Sequence, residues 1–140
     1  MKRFRIQFLK VCLWAVVSVT AVRAADAPAI SWNECLKQPP EWYSSDEAVR
    51  IADNVLLYQR NTGGWPKNIN MAAVLSEKEK AKVAGQKKQS DSTIDNRSTY
   101  TQLAYLAKVY NARKLERVKD GFLKGVDFLL ESQYANGGFP

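Results

Sequence analysis

Asn61-Thr-Gly-Gly-Trp-Pro-Lys-Asn68 sits where an apolar helical pattern gives way to polar residues, and nearly the same turn returns as Asn136-Gly-Gly-Phe-Pro140. A shift of 74 positions aligns Asp53 with Asp127, Leu56 with Leu130, Gln59 with Gln133, Gly63 with Gly137, Gly64 with Gly138, Trp65 with Phe139 and Pro66 with Pro140. Each unit is a helix end, a glutamine, and then Gly-Gly-aromatic-Pro. A glycine can adopt the left-handed backbone that ends a helix, and a proline blocks its renewal. One helical hairpin cannot bury its own apolar face, so a repeated unit predicts several hairpins packed together.

Working outward, apolar residues recur at helical spacing and no segment alternates with period two. Ser44-Ser45-Asp46-Glu47 predicts a helix start, with Val49, Ala52, Val55 and Leu56 on its buried face and an end near Gln59 or Arg60. Ser76 and Glu79 form a capping box ahead of a thin-faced helix bearing Val74, Leu75, Ala81 and Val83. Residues 86–99 read as a long polar loop, and loops of this length are often functional. Ser98 or Thr99 is expected to cap a helix burying Leu103, Leu106, Val109 and Tyr110. After a turn at Asn111, Leu115 to Gln133 predicts a final helix burying Leu115, Val118, Phe122, Val126, Leu129 and Leu130. The fold class is all-α.

Residues 1–24 read as an export signal: a basic start, an apolar run from Val11 to Val22, and small residues before a cut after Ala24. The apolar run is shorter than the roughly 20 residues needed to cross a bilayer. Residues 25–44, with Pro28, Pro39 and Pro40, read as a non-helical leader, and the folded unit is placed at 45–140. The whole chain carries a net charge of +7, but five of its 21 basic residues precede the cut and none of its 14 acidic ones do. Beyond it stand 16 basic and 14 acidic residues, a charge of +2 that argues against nucleic acid as the partner. Signal removal leaves Cys35 as the sole cysteine, and the chain has no histidine. An intramolecular disulfide and histidine chemistry are therefore excluded from this stretch. No P-loop, dinucleotide fingerprint, EF-hand, zinc cluster or Gly-x-Ser-x-Gly elbow occurs.

Unusual residues concentrate in Gly63–Asn68 and in Ser92-Thr-Ile-Asp-Asn-Arg-Ser-Thr99. Asp95 suits either a helix N-cap or a hard oxygen ligand for Ca²⁺, and spacing alone leaves both open.

The ordered set Asn54 to Asn68, Ser92-Thr-Ile-Asp-Asn96 with Thr99-Tyr-Thr-Gln102, Leu106 to Tyr110, Gly125-Val-Asp-Phe-Leu-Leu130 and Gln133 to Pro140 resembles the N-terminal part of family 10 polysaccharide lyases, the pectate lyases. The resemblance implies an (α/α) toroid of helical hairpins, secretion or export to the periplasm, and Ca²⁺-assisted β-elimination on polygalacturonate, with no membrane association once the signal is cut. It places Asp95 at the family's active-site aspartate, next to the scissile region and the calcium. It makes Lys67 a partner for a substrate carboxylate, with Trp65 and Thr99 lining the cleft. Arg97 departs from the small residue, usually glycine, that the family has after Asp-Asn, which implies either a differently bent loop or an added cation. The family's base is an arginine C-terminal of the second turn. The chain is accordingly expected to be an incomplete toroid without its base, inactive alone. The alternative is a non-catalytic α-hairpin module for acidic polysaccharides, with Trp65 and Phe139 stacking on sugars.

Overall fold

The computed structural model describes residues 30–139; the expected export signal, its cleavage site, the first leader residues and Pro140 lie outside the described residues. Among the described residues all regular structure is helical. None of those helices is long and apolar enough to cross a membrane. Five α-helices run in order: α1 (Trp32–Cys35), α2 (Asp46–Tyr58), α3 (Glu77–Ala84), α4 (Tyr100–Arg113) and α5 (Glu116–Ser132). Short 3-10 turns lie at Pro40–Ser44 and Asp95–Arg97.

Local chemistry explains most of these starts. The Ser45 hydroxyl accepts from the Ala48 amide ahead of α2, and Ser76 and Glu79 close the expected capping box on α3. Each such cap contributes about 1 kcal/mol. Ala48, Ile51, Ala52 and Val55 of α2 face Leu103, Leu106 and Val109 of α4 in the core, with Trp65 and Met71 filling the space beside them.

Four expectations are corrected. The leader is not merely a tether: Ser31 and Glu34 form a capping box on α1, and Cys35 and Tyr43 are buried. Trp32 packs on Tyr105 at 5.4 Å, and Lys108 donates to the Leu36 carbonyl and the Tyr43 hydroxyl. Large aromatics in the leader thus find cover on α4, at about 1.5–3 kcal/mol for each side chain fully buried. Burial pushes the Cys35 thiol up to about 12, so it stays protonated and unreactive. Second, α4 runs through Asn111, and the chain reverses at Lys114, whose φ is 52°. Third, Leu130 is 64% exposed rather than buried, because the wide stripe of α5 outruns the surface available to cover it. Fourth, Thr99 holds the N-cap position of α4 without a side-chain cap bond, since its hydroxyl is engaged elsewhere.

The two Gly-Gly turns share one set of hydrogen bonds. In the first, Gln59 Nε2 donates to the Gly63 carbonyl at 2.7 Å, and the Arg60 amide reaches the Gly64 carbonyl at 2.9 Å. In the second, Gln133 Nε2 donates to the Gly137 carbonyl at 2.9 Å, and the Tyr134 amide reaches Gly138 at 2.8 Å. Gly63 and Gly137 take φ of 94° and 85°. Their surroundings differ: a Cβ on Gly63 would run into the Lys124 carbonyl, whereas on Gly137 its nearest neighbour would be Gln133 Nε2 at 3.9 Å. Gly63→Ala should therefore cost roughly 3 kcal/mol or more, backbone strain plus collision, and Gly137→Ala about 1 kcal/mol, from strain alone. Urea unfolding of the two variants checks the difference.

Candidate functional site

The polar loop at 86–99 is held against the first turn from both sides. Thr93 donates its amide to the Trp65 carbonyl at 3.0 Å, and the Ser98 hydroxyl lies 3.1 Å from the carbonyls of both Trp65 and Pro66. The Thr99 hydroxyl donates to the Thr93 carbonyl at 2.8 Å and accepts from the Trp65 amide at 3.3 Å. At the far end of the loop, Arg60 grips Asp91 through Nε at 2.6 Å and Nη2 at 2.9 Å. That guanidinium is almost wholly buried while Asp91 stays half exposed. Among the described residues its Nη1 has no partner.

These bonds hold an uncommon backbone. Asn68, Asn96, Arg97 and Thr99 have φ of 63°, 49°, 66° and 61°. Left-handed asparagines are tolerated because the side chain can bond locally, but a β-branched threonine there is an outlier. Each strained non-glycine residue costs of order 1–3 kcal/mol, and such clusters gather at functional sites.

What the strain positions is exposed. Lys67 and Asp95, 28 residues apart in sequence, meet at 3.1 Å from Nζ to Oδ2. Beside them the Asn96 amide donates to Asn68 Oδ1 at 3.4 Å. The lysine and aspartate side chains keep 46% and 64% of their surface in water. A pair so exposed contributes at most about 1 kcal/mol, so it opens readily to a competing ligand. Adjoining it is an open cavity of about 370 Å³, walled by Asn68, Asn96, Arg97 and Asn70 and, from the leader, by Trp32 and Asn33. Among the described residues Arg97 is the one charged residue on that wall.

The residues singled out in the sequence separate into two groups. Lys67 and Asp95 come together on the exposed side, with Arg97 also exposed two residues on. Trp65 and Thr99 do not line a cleft: both are wholly buried, the indole N–H donating to the Val55 carbonyl at 2.7 Å. An aromatic sealed in the core cannot stack on a sugar, so the stacking role expected of Trp65 is withdrawn; Phe139 is 45% exposed. Asp95 is not a helix cap, since its carboxylate points to Lys67. Asn70, Trp32 and Asn33 fall outside the stretches that the sequence marks, while Asn68 and Ser98 fall inside them without an assigned part in the site. The signal that could have found Asn68 was an asparagine directly after a turn, where left-handed backbone is common.

Calcium was expected at Asp95. Among the described residues no three acidic, cysteine or histidine side chains converge to hold a metal. Ca²⁺ takes six to eight oxygens, so one lysine-paired carboxylate with two neighbouring amides does not form a site unaided.

An all-α chain thus spends strained backbone on an exposed Lys–Asp pair beside an amide-rich cavity. Residues 59–140, more than half of the chain, match the family model for pectic acid lyase, and the chain belongs to that family. Two solved structures are similar. One is a family 10 polysaccharide lyase from Cellvibrio cellulosa, as an Asp-to-Ala mutant in complex with trigalacturonic acid: 35% identical, covering 66% of this chain and 26% of that one, with a TM-score of 0.52. The other is a family 10 polysaccharide lyase from the same organism, 32% identical over 72% of this chain and 29% of that one, also with a TM-score of 0.52. The chain thus spans between a quarter and a third of these relatives' length. No curated protein matches.

Two outcomes follow from the loop geometry. Arg97→Gly should raise stability by about 0.5–1 kcal/mol in urea unfolding, because glycine carries no penalty at φ of 66°. The Arg60 guanidinium holds the Asp91 carboxyl below its ordinary value. The unfolded state then takes up the proton first, so this stabilisation is whole above about pH 4 and is lost as pH falls through the lowered folded value. Asp91→Asn should flatten the acid limb of the stability profile and cost roughly 2 kcal/mol at neutral pH, by leaving the buried guanidinium short of charge.

Proposed function

We propose that this chain forms part of the substrate cleft of a pectate lyase, a protein that cleaves polygalacturonate by β-elimination. The observation that carries the reading is the pairing of Lys67 with Asp95, whose chain neighbours Asn68 and Asn96 line a cavity that Arg97 also lines. Membership of the pectic acid lyase family supports it, as does the trigalacturonic acid held by the similar lyase.

In the elimination, a base takes the proton on C5 of a uronate, the electron pair forms the C4–C5 double bond, and the C4–O bond breaks to release the leaving chain. The proton on C5 becomes acidic when the adjoining carboxylate is neutralised. In this reading Lys67 leaves Asp95 to take a uronate carboxylate, and Arg97 takes the carboxylate of a neighbouring sugar. The Asn68 and Asn96 amides hold sugar hydroxyls. Asp95, released from Lys67, touches the reacting region and would give one carboxylate to Ca²⁺, whose further ligands would come from substrate and from the rest of the protein. No residue described is assigned as the base. Export to the periplasm or beyond the cell and closure of the hairpins into a toroid belong to the same proposal.

Titration of the full chain with trigalacturonate, followed by calorimetry with and without Ca²⁺, tests the reading. Lys67→Ala should weaken binding about ten-fold, as loss of one charge-assisted contact implies. Asp95→Asn should leave the Ca²⁺-free affinity unchanged or tighter, since the lysine is freed, while abolishing any gain that Ca²⁺ confers. Absence of binding, or binding indifferent to Lys67→Ala, would sink the proposal.

A further inference from the structure

The leader supplies part of the wall of the cavity that Asn68 and Asn96 line, and Trp32 is fixed there at three points. Its backbone amide donates to Asn70 Oδ1 at 3.1 Å, and its indole N–H donates to Thr101 Oγ1 at 3.3 Å. Its ring packs on Tyr105, with centroids 5.4 Å apart. Both N–H groups are thus satisfied within the protein, and what the half-buried Trp32 still presents to the cavity is apolar ring. An indole anchored in this way has little rotamer freedom left to lose when a ligand arrives. Trp32 lies ahead of residues 59–140, the stretch that matches the family model, so this wall is the leader's own contribution.

The rest of the wall offers hydrogen-bond donors. The Asn70 side-chain oxygen accepts from the amides of Trp32 and Ala72, at 3.1 and 3.3 Å, and the Asn68 oxygen accepts from Asn96 at 3.4 Å. Each asparagine has thereby used its acceptor, and among the described residues its NH2 group has no partner. Arg97 is exposed and, among the described residues, has no ion-pair partner. It stands at φ of 66°, where glycine would be the more stable choice. The volume of about 370 Å³ falls in the range of small-ligand sites. Among the described residues no carboxylate lines the cavity. Unbonded donors, a free cation and an aromatic face together suit a ring that is apolar on one side and carries oxygens and a negative charge at its rim. A hexuronate is such a ring.

We infer that Trp32 is a specificity-determining residue, stacking its indole on the C–H face of a uronate ring while Asn68 and Asn70 donate to the ring's hydroxyl oxygens and Arg97 takes its carboxylate. The stacking role that Trp65 cannot fill thus falls to the leader. The subsite prefers a free uronate to its methyl ester, because esterification removes the charge that the guanidinium pairs with. The inference rests on the reading of this region as a uronate cleft, and adds to it a contact independent of Lys67 and Asp95.

The test titrates the full chain, labelled for nuclear magnetic resonance, with trigalacturonate. The indole N–H cross-peak of Trp32, assigned by its loss in Trp32→Phe, should move, and that of Trp65 should stay, because its ring is sealed in the core. Trp32→Leu keeps an apolar side chain beside Tyr105 but removes the stacking face. It should weaken binding about five-fold, and Trp32→Phe should hold it within about two-fold. Arg97→Gln should narrow the preference for trigalacturonate over its fully methyl-esterified form by about ten-fold. Lys67→Ala separates the two readings. Binding that Lys67→Ala weakens, but that leaves the Trp32 cross-peak in place or withstands Trp32→Leu, would overturn this inference and leave the Lys67–Asp95 reading standing. A moving Trp32 cross-peak and a weakened Trp32→Leu variant, with Lys67→Ala neutral, would support the subsite and overturn the part given to Lys67. Absence of binding would overturn both.

Discussion

Burial of Trp65 is the constraint on which the remaining structure hangs. Its indole N–H caps a carbonyl near the end of α2 and its ring lies against Gly125 of α5, so one side chain fixes the approach of two helices. Its backbone does a second job. The carbonyl receives Thr93 and Ser98, and the amide donates to Thr99. A core aromatic thus sets the position of a loop whose outer edge carries Asp95. Removing the ring would open a cavity and slacken the loop together, which makes the aromatic's size its contribution to the placing of Asp95.

The division between rigid and open parts follows from this. Buried hydroxyls and carbonyls restrain residues 93, 98 and 99, and the strain at Arg97 and Thr99 is tolerable because that network over-determines the backbone. Lys67 and Asp95 sit one step outside the network, bound to each other by an interaction worth little in water. Under the proposed function, a ligand carboxylate would meet a prepositioned lysine and displace only a weak internal competitor, so little of its binding energy would go to reorganisation.

Much of this was legible in the sequence. Capping residues at Ser45 and Ser76 and the helical spacing of Leu103, Leu106 and Val109 gave elements and core faces, because those signals are local. The Gly-Gly repeat was also legible, down to the glutamine that closes each turn. What escaped reading was non-local. The leader's packing depends on α4 presenting Tyr105 and Lys108 to it, and prolines among small residues gave no hint of that. Trp65 and Phe139 occupy matching positions in sequence, yet one is sealed and the other open, since burial is decided by what lies over a residue. The resemblance put Lys67 and Asp95 in one site but gave no pairing between them, because residues 28 apart meet through a fold and not through a pattern.

The leader also fixes an order of assembly. Trp32 reaches Thr101, and the carbonyl of Leu36 is bonded by Lys108, 72 residues further on. By contrast α4 and α5 are joined through the single left-handed residue Lys114 and meet as soon as both are helical. Closing a short connection costs less entropy than closing a long one. The wall that Trp32 and Asn33 give to the cavity is therefore completed late, because Trp32 is held by Asn70, Thr101 and Tyr105, the nearest of them 38 residues downstream.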